Sequence, residues 1–283
     1  MVILQGDVKM ALKSNPEADA LGPAQTFRCV SFADEMNPHR RNTMEDAHRM
    51  VSPFDGDPTK SYFAVYDGHG GRGLVDFLET RLEENVASEL RMEGDGSVLD
   101  CLSSAFLTTD MESKQANIVT SGRATACVLL LHKQDATTTM YVANVGDSRA
   151  VLSDHGKASR LTYDHKAEDE GERKRIEDAG GFILRNRVLG ILAVSRSFGD
   201  HGMKEFVTAQ PHTKEIQLGS AEGHPFVIVA CDGIWDVFSD QEGVDMVKGC
   251  VDRGEENVAA AMLVQEALDR GSTDNITVII IFF

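Results

Sequence analysis

Two strand-length runs, 226–231 (FVIVAC) and 276–283 (ITVIIIFF), are apolar at all but one position. A strand with one wet face alternates polar and apolar residues, so these two must be covered on both faces. Four more runs, 61–66, 126–132, 139–145 and 149–153, are rich in β-branched and aromatic residues and bounded by Gly, Asp and Asn, as strands are. The last three are joined by connections too short for a parallel crossover, so they must pair antiparallel. Helical periodicity runs over about 72–92, 99–118, 168–179, 240–251 and 256–268. Antiparallel strands that need cover on both faces, with helices to supply it, predict an α+β fold. The expected form is a two-layer antiparallel β-sandwich flanked by helices on both sides (α-β-β-α).

Residues 1–26 mix Gly, Pro, Asn and Ala with little periodicity and read as an N-terminal extension. From 27 to 283 there is no Gly-, Ser- or Pro-rich linker, no low-complexity tract and no repeat, so one domain is expected there. Asp and Glu number 45 against 28 Lys and Arg, a formal charge of −17. A field of that sign argues against nucleic acid and against an anionic membrane surface as partners, and favours cations and basic peptides. The five cysteines are irregularly spaced with no C-x-x-C pair, and they read as reduced core residues of an intracellular protein. No signal-peptide pattern opens the chain, Val2 excludes a myristoylation start, and no apolar run approaches a membrane span. A monomeric protein of the cytoplasm, or of cytoplasm and nucleus, is expected.

The chemistry is suggested by where aspartates meet strand ends. Asp67 follows SYFAVY, Asp232 follows FVIVAC, Asp274 precedes ITVIII, and Asp147 lies in a turn between two strands. Each alone is an ordinary turn former. If the strands alternate in direction, however, all four can meet at one edge, where carboxylates tolerate each other best with cations between them. Glu45 and Asp46 form a further acidic pair. Oxygen donors without a Cys or His cluster suit Mg²⁺ or Mn²⁺ rather than zinc or copper. Phosphate ester hydrolysis is the natural reaction of two such ions side by side. Arg41 could clamp phosphate oxygens, and His69, just after the Asp67-Gly68 turn, could donate a proton to a departing alkoxide. The Gly68 carbonyl would fit as a further metal ligand, since glycine lets backbone approach closely.

The segments RRNTMEDAH, YFAVYDGHGG, YVANVGDSRAVL, LTYDHKAEDEGERKRIEDAGG, RVLGILAVSRSFGD, VIVACDGIWDVFSDQE and GSTDNITVIII resemble, in order, the blocks of the type 2C (PPM) metal-dependent protein serine/threonine phosphatases. The resemblance runs from about Arg41 to the C-terminus. It implies paired antiparallel sheets flanked by helices, and phosphorylated proteins as substrates. It also implies two metals bridged by Asp67, with the Gly68 carbonyl and Glu45 on one and Asp232 and Asp274 on the other. Asp46 would support these ligands, and Asp147 and Asp236, with Asp232, would hold a third, weaker metal. Arg41 matches the phosphate-binding arginine and His69 the general acid. Residues 164–185 correspond to the flap beside the active site. The chain departs from the pattern at Ser121-Gly122-Arg123-Ala124-Thr125-Ala126, one residue longer than the usual Ser-Gly-x-Thr-Ala, and at Ala167, Leu189 and His212.

Other phosphatase chemistries do not fit. No cysteine is followed by Arg six positions later, and the G-N-H-E block of the calcineurin-like enzymes is absent. Asp55-Gly56-Asp57-Pro58-Thr59 spells D-x-D-x-T but does not follow an apolar strand, and reads as a surface turn. The remaining alternative is a catalytically inactive relative serving as a binding module. Such a protein should have lost metal carboxylates, and here every expected position is acidic.

Overall fold

The computed structural model describes residues 24–94, 96–116, 122–218 and 225–283, together with Ala18 and Leu21. Among the described elements, β1 (Cys29–Glu35), β2 (Ala47–Val51), β3 (Lys60–Tyr66) and the short β4 (Gly68–His69) come in that order. Helices α1 (Gly73–Glu93) and α2 (Val98–Gln115) follow, then β5 (Arg123–Ala124), β6 (Ala126–Gln134), β7 (Thr137–Val145), β8 (Arg149–Asp154) and β9 (Lys157–Arg160). Next come α3 (Glu170–Asp178), β10 (Ile183–Leu184), β11 (Arg187–Val188), β12 (Phe198–Gly199) and β13 (His212–Leu218). The last part holds β14 (Phe226–Ala230), α4 (Asp232–Trp235), α5 (Asp240–Asp252), α6 (Ala259–Asp269) and β15 (Ile276–Phe282).

Two five-stranded sheets, β1-β15-β14-β8-β9 and β13-β7-β6-β3-β2, are antiparallel at every pairing. Side chains alternate across each strand, so one set of residues faces the other sheet and the next faces helices. Val227, Val229, Ile279 and Ile281 pack against Phe63, Val65, Leu129 and Leu131 between the sheets. On the outer faces, Ile228 and Ile280 meet Val244 and Leu263 of α5 and α6, while Tyr62 and Leu130 meet Leu78 and Phe106 of α1 and α2. The expected α-β-β-α layering is therefore the observed one. The two apolar runs are internal strands, β14 and β15, with every residue of each buried.

Of the two large sheets, four strands did not stand out in the sequence, β1, β2, β9 and β13, and neither did the short strands β4, β5 and β10–β12 outside them. The first four are the edges of the two five-stranded sheets. An edge strand needs less apolar cover and carries charge readily, as His212–Leu218 (HTKEIQL) and Lys157–Arg160 (KASR) show. Among the helices, the expected 256–268 segment opens with a 3₁₀ turn at Glu256–Val258 before α6. The helix expected to reach 118 ends at Gln115, and 117–121 lie outside the described residues. Of the expected extension, Ala18 and Leu21 pack on the inter-sheet layer, and the Thr26 hydroxyl bonds that of Ser61 at 2.6 Å. Residues 1–17 lie outside the described part. Among the described residues, no helix is long and apolar enough to cross a membrane.

Candidate active site

Strand direction decides where the carboxylates go. β14 and β15 run antiparallel, so Asp232, just past the end of β14, faces the start of β15, where Asp274 lies. Asp67 leaves β3, and Asp147 sits in the turn from β7 to β8, at the same edge. A cavity of about 130 Å³ is lined by Asp67, Asp147, Asp232 and Asp274, with His69 and Arg123 beside them.

Two glycines permit this convergence. A Cβ on Gly233 would lie 2.1 Å from the Asn275 carbonyl oxygen, and one on Gly68 would lie 2.4 Å from that of Glu45. The chain after each aspartate therefore passes against the backbone of the next acidic segment. We expect Gly233→Ala to cost on the order of 2 kcal/mol, because backbone rather than a flexible side chain must give way. Urea unfolding measures this, and an unchanged midpoint would refute the close approach.

The electrostatics of the cluster are severe. Burial, and then neighbouring Asp232, Asp46, Asp147 and Asp274, drive the Asp67 carboxyl well above the usual range. Asp232 is driven up in the same way, by burial and then by Asp147 and Asp274. Asp147 is raised mainly by burial. Asp46 lies behind the cavity, accepts a 2.7 Å bond from the Thr277 hydroxyl, and is pushed up to about 7 by burial. Like-charged groups this close are stable only when protonated or when cations lie between them. The Oδ1 atom of Asp232 is buried with no hydrogen-bond partner among the described residues, so a strong acceptor awaits a positive partner. The residues therefore fit an oxygen-ligated divalent cation.

The remaining expected residues divide. His69 is exposed beside the cavity, and burial of part of its ring together with Arg123 lowers its pKa. Arg41 is close by, but its Nη2 donates to Asp274 and its Nε to the Thr273 carbonyl at 3.2 Å. Glu45 accepts 3.1 Å bonds from the Gly70 and Gly71 amides instead of lining the cavity. Asp236 is exposed, and Lys166 stands 3.7 Å from Asp147 and 3.8 Å from Asp236. Among the described residues, no three His, Cys, Asp or Glu side chains close into a ready-made metal cluster. The carboxylates line a shared space rather than touch.

Sequence reasoning missed three supports. Asn275 accepts from the Glu45 amide at 2.8 Å and donates to the Met36 and Thr43 carbonyls, tying the Glu45 loop to the start of β15. Arg72 donates to the carbonyls of Met44 and Asp46 from the other side. Arg123 lines the cavity itself. Asn275 at least stood in plain view, directly between a proposed ligand and a buried strand.

Beside the site, α3 lies within the segment expected as the flap, 164–185, and packs with the β10–β11 hairpin over a small core of Ile176, Val188, Leu192 and Val207. Its polar anchor is Glu172, which is buried and accepts from Ser195 (2.7 Å), Arg175 (2.9 Å) and Arg196 (2.6 Å). Burial alone would raise its pKa, but Arg196, Arg175 and Ser195 outweigh burial and hold it at about 2. A depressed carboxyl stabilises the fold above its unfolded value and loses that stabilisation as pH falls through the folded one. The flap's contribution should therefore be complete at neutral pH and decline between about 4.5 and 2. Glu172→Gln should cost on the order of 3 kcal/mol at pH 7 by leaving two guanidiniums short of charge, with the difference from wild type shrinking at acid pH. Parallel denaturation curves at pH 7 and 3 check both statements. A larger cavity of about 540 Å³ adjoins this anchor, but none of the cavity-lining aspartates borders it.

The sequence model of the family described as Protein phosphatase 2C matches residues 31–276. The chain is 40% identical over 274 residues to Protein phosphatase 2C homolog 1 of Saccharomyces cerevisiae, covering 91% of this chain and 94% of that protein. It is 39% identical over 255 residues to Protein phosphatase 2C homolog 1 of Schizosaccharomyces pombe, covering 89% and 72%. Its fold matches the crystal structure of a phosphatase from Toxoplasma gondii with a TM-score of 0.78 at 22% identity, over 91% and 93% of the two chains. With a family match across both sheets, and relatives this similar over most of their length, the chain belongs to the protein phosphatase 2C family of metal-dependent protein phosphatases.

Proposed function

We propose that residues 27–283 form one catalytic unit that hydrolyses phosphoserine and phosphothreonine in proteins directly, without a phosphoenzyme. Asp67, the Gly68 carbonyl, Asp232 and Asp274 would hold two Mg²⁺ or Mn²⁺ ions, with Glu45 completing the set. Asp147 and Asp236 would contribute with Asp232 to a third, weaker site. When bound, such a pair supplies Lewis acidity at the phosphoryl oxygens and a water of lowered pKa for in-line attack. The observation that carries the reading is the Oδ1 of Asp232, buried amid mutually repelling carboxylates and without a hydrogen-bond partner among the described residues.

The chain's own groups have separate roles. Asp46, fixed by Thr277, and Asn275, fixed by three backbone contacts, keep the acidic segments in register. Arg41 neutralises Asp274 and offers its remaining N–H groups toward substrate. His69 donates its imidazolium proton to the serine or threonine oxygen as the P–O bond breaks.

The reading is tested by hydrolysis of a phosphoserine peptide by the full chain with Mn²⁺, with and without EDTA, beside calorimetric titration of Mn²⁺. Metal-dependent turnover and tight binding are expected. A folded protein that binds Mn²⁺ without turnover would support the binding-module alternative instead.

A further inference from the structure

The metal cavity is lined by four aspartates, and a phosphomonoester dianion entering it meets strong repulsion until its own oxygens find positive partners. Arg41 is already committed through two of its donors, to Asp274 and to the Thr273 carbonyl. Arg123 is not. Among the described residues lining the cavity it is the only Lys or Arg. It is half-buried, and among the described residues its guanidinium has no hydrogen-bond or ion-pair partner. A half-buried guanidinium with all five donors free, facing acidic residues, is an unusual arrangement, since most such groups are paired.

Its placement follows from a three-stranded sheet of β12, β5 and β4. Arg123 is the register partner of His69 on β4, and directly opposed residues of an antiparallel pair project from the same face. Its partner on β12 is Gly199, which presents no side chain to engage it. The nearby Asp200 carboxylate feels its charge, yet no bond forms between them, and Oδ2 of Asp200 has no partner among the described residues. The guanidinium is thus held beside the proposed proton donor, turned to the cavity and free to accept an anion. Arg123 also lies in the segment where the chain departs from the family pattern, so the assignment comes from this structure and not from that pattern.

We infer that Arg123 is a second phosphate-binding residue of this active site, gripping the non-bridging oxygens of the substrate phosphoryl group next to His69. The inference rests on the proposed phosphatase reading and deepens it. A planar fork of donors suits two phosphoryl oxygens at once, whereas a lysine would offer a point charge. It also predicts that released phosphate is held by the same group.

The test uses the full chain with Mn²⁺ and three probes: inorganic phosphate, an aryl phosphate and a phosphoserine peptide. Arg123→Ala should raise the inhibition constant of inorganic phosphate about tenfold, the worth of one charge-assisted contact. Calorimetry of phosphate on the Mn²⁺-loaded protein should show the same weakening. KM should rise similarly for the aryl phosphate and the peptide, with a smaller fall in kcat, and Arg123→Lys should lie between. An unchanged phosphate constant in Arg123→Ala, or a KM rise confined to the peptide, would overturn the proposal, the second result pointing to a contact with residues flanking the phosphoserine. If Arg123→Ala does not fold, Arg123→Met keeps the packing of the stem, and a wild-type phosphate constant in that variant overturns the proposal equally. Failure of the underlying reading looks different, because the wild type itself would then lack Mn²⁺-dependent turnover.

Discussion

Asp232→Asn is expected to lower Mn²⁺-dependent hydrolysis roughly a thousandfold while making the protein more stable in EDTA. The first effect follows from removing one proposed anionic ligand, whose Oδ1 has no partner among the described residues. A thousandfold corresponds to ~4 kcal/mol, within the several kcal/mol of charge stabilisation that metal ions contribute to a transition state. The second follows from the sign of the carboxyl's shift. A carboxyl whose pKa is raised on folding destabilises the native state once pH exceeds its unfolded value, and Asp232 is raised by burial and by Asp147 and Asp274. Asparagine keeps the shape and removes the repulsion. A gain of about 1 kcal/mol would lift Tm by roughly 2–4 °C in a chain of this size. Added Mn²⁺ should then stabilise the wild type, by about 2.7 kcal/mol at a hundredfold excess over Kd, and the variant far less. Melting curves in EDTA and in Mn²⁺, beside turnover, read all three effects. A variant that keeps its metal-dependent turnover would remove Asp232 from the centre.

His69→Gln should reduce kcat on a phosphoserine peptide by about 10²–10³ and on an aryl phosphate by less than about tenfold. The reason lies in the leaving groups. A serine alkoxide is a very strong base and must be protonated as it departs, while a phenolate of low basicity leaves unaided. His69 is exposed at the cavity rim, with its pKa lowered by partial burial and by Arg123, which makes its imidazolium a more willing donor. Glutamine preserves hydrogen bonding but carries no dissociable proton. Equal losses on both substrates would deny His69 the acid role and leave it a structural one. Because Arg123→Ala should affect both substrates alike, the two variants separate proton donation from phosphate binding.

The layering was legible because its strongest signal is local. An internal strand between two layers must be apolar on both faces, and 226–231 and 276–283 could be read in isolation. The edge strands β1, β2, β9 and β13 were not legible, since residues such as Lys157 and Glu215 can sit on an edge or in a loop equally well. The site was half legible. Aspartates directly beside buried strands are visible as a pattern, and so is their common edge once the strands are taken as antiparallel. Hidden were the partners each side chain takes: Arg41 with Asp274, Glu45 with the Gly70 and Gly71 amides, Lys166 between Asp147 and Asp236.

By itself the sequence determined which strands are interior, which carboxylates stand at their ends, and that the candidate ligand atoms are hard oxygens. Those properties depend on side-chain chemistry and on spacing along one strand, which neighbours in the chain settle. Only the tertiary structure decided that Gly68 and Gly233 let the acidic segments touch, and that Asp232 keeps an oxygen with no partner among the described residues. It alone brought Arg123, 54 positions from His69, onto the same face of a small sheet (123 − 69). The physical reason is that backbone approach and charge pairing act between segments remote in sequence. No local pattern encodes them until the sheets have closed.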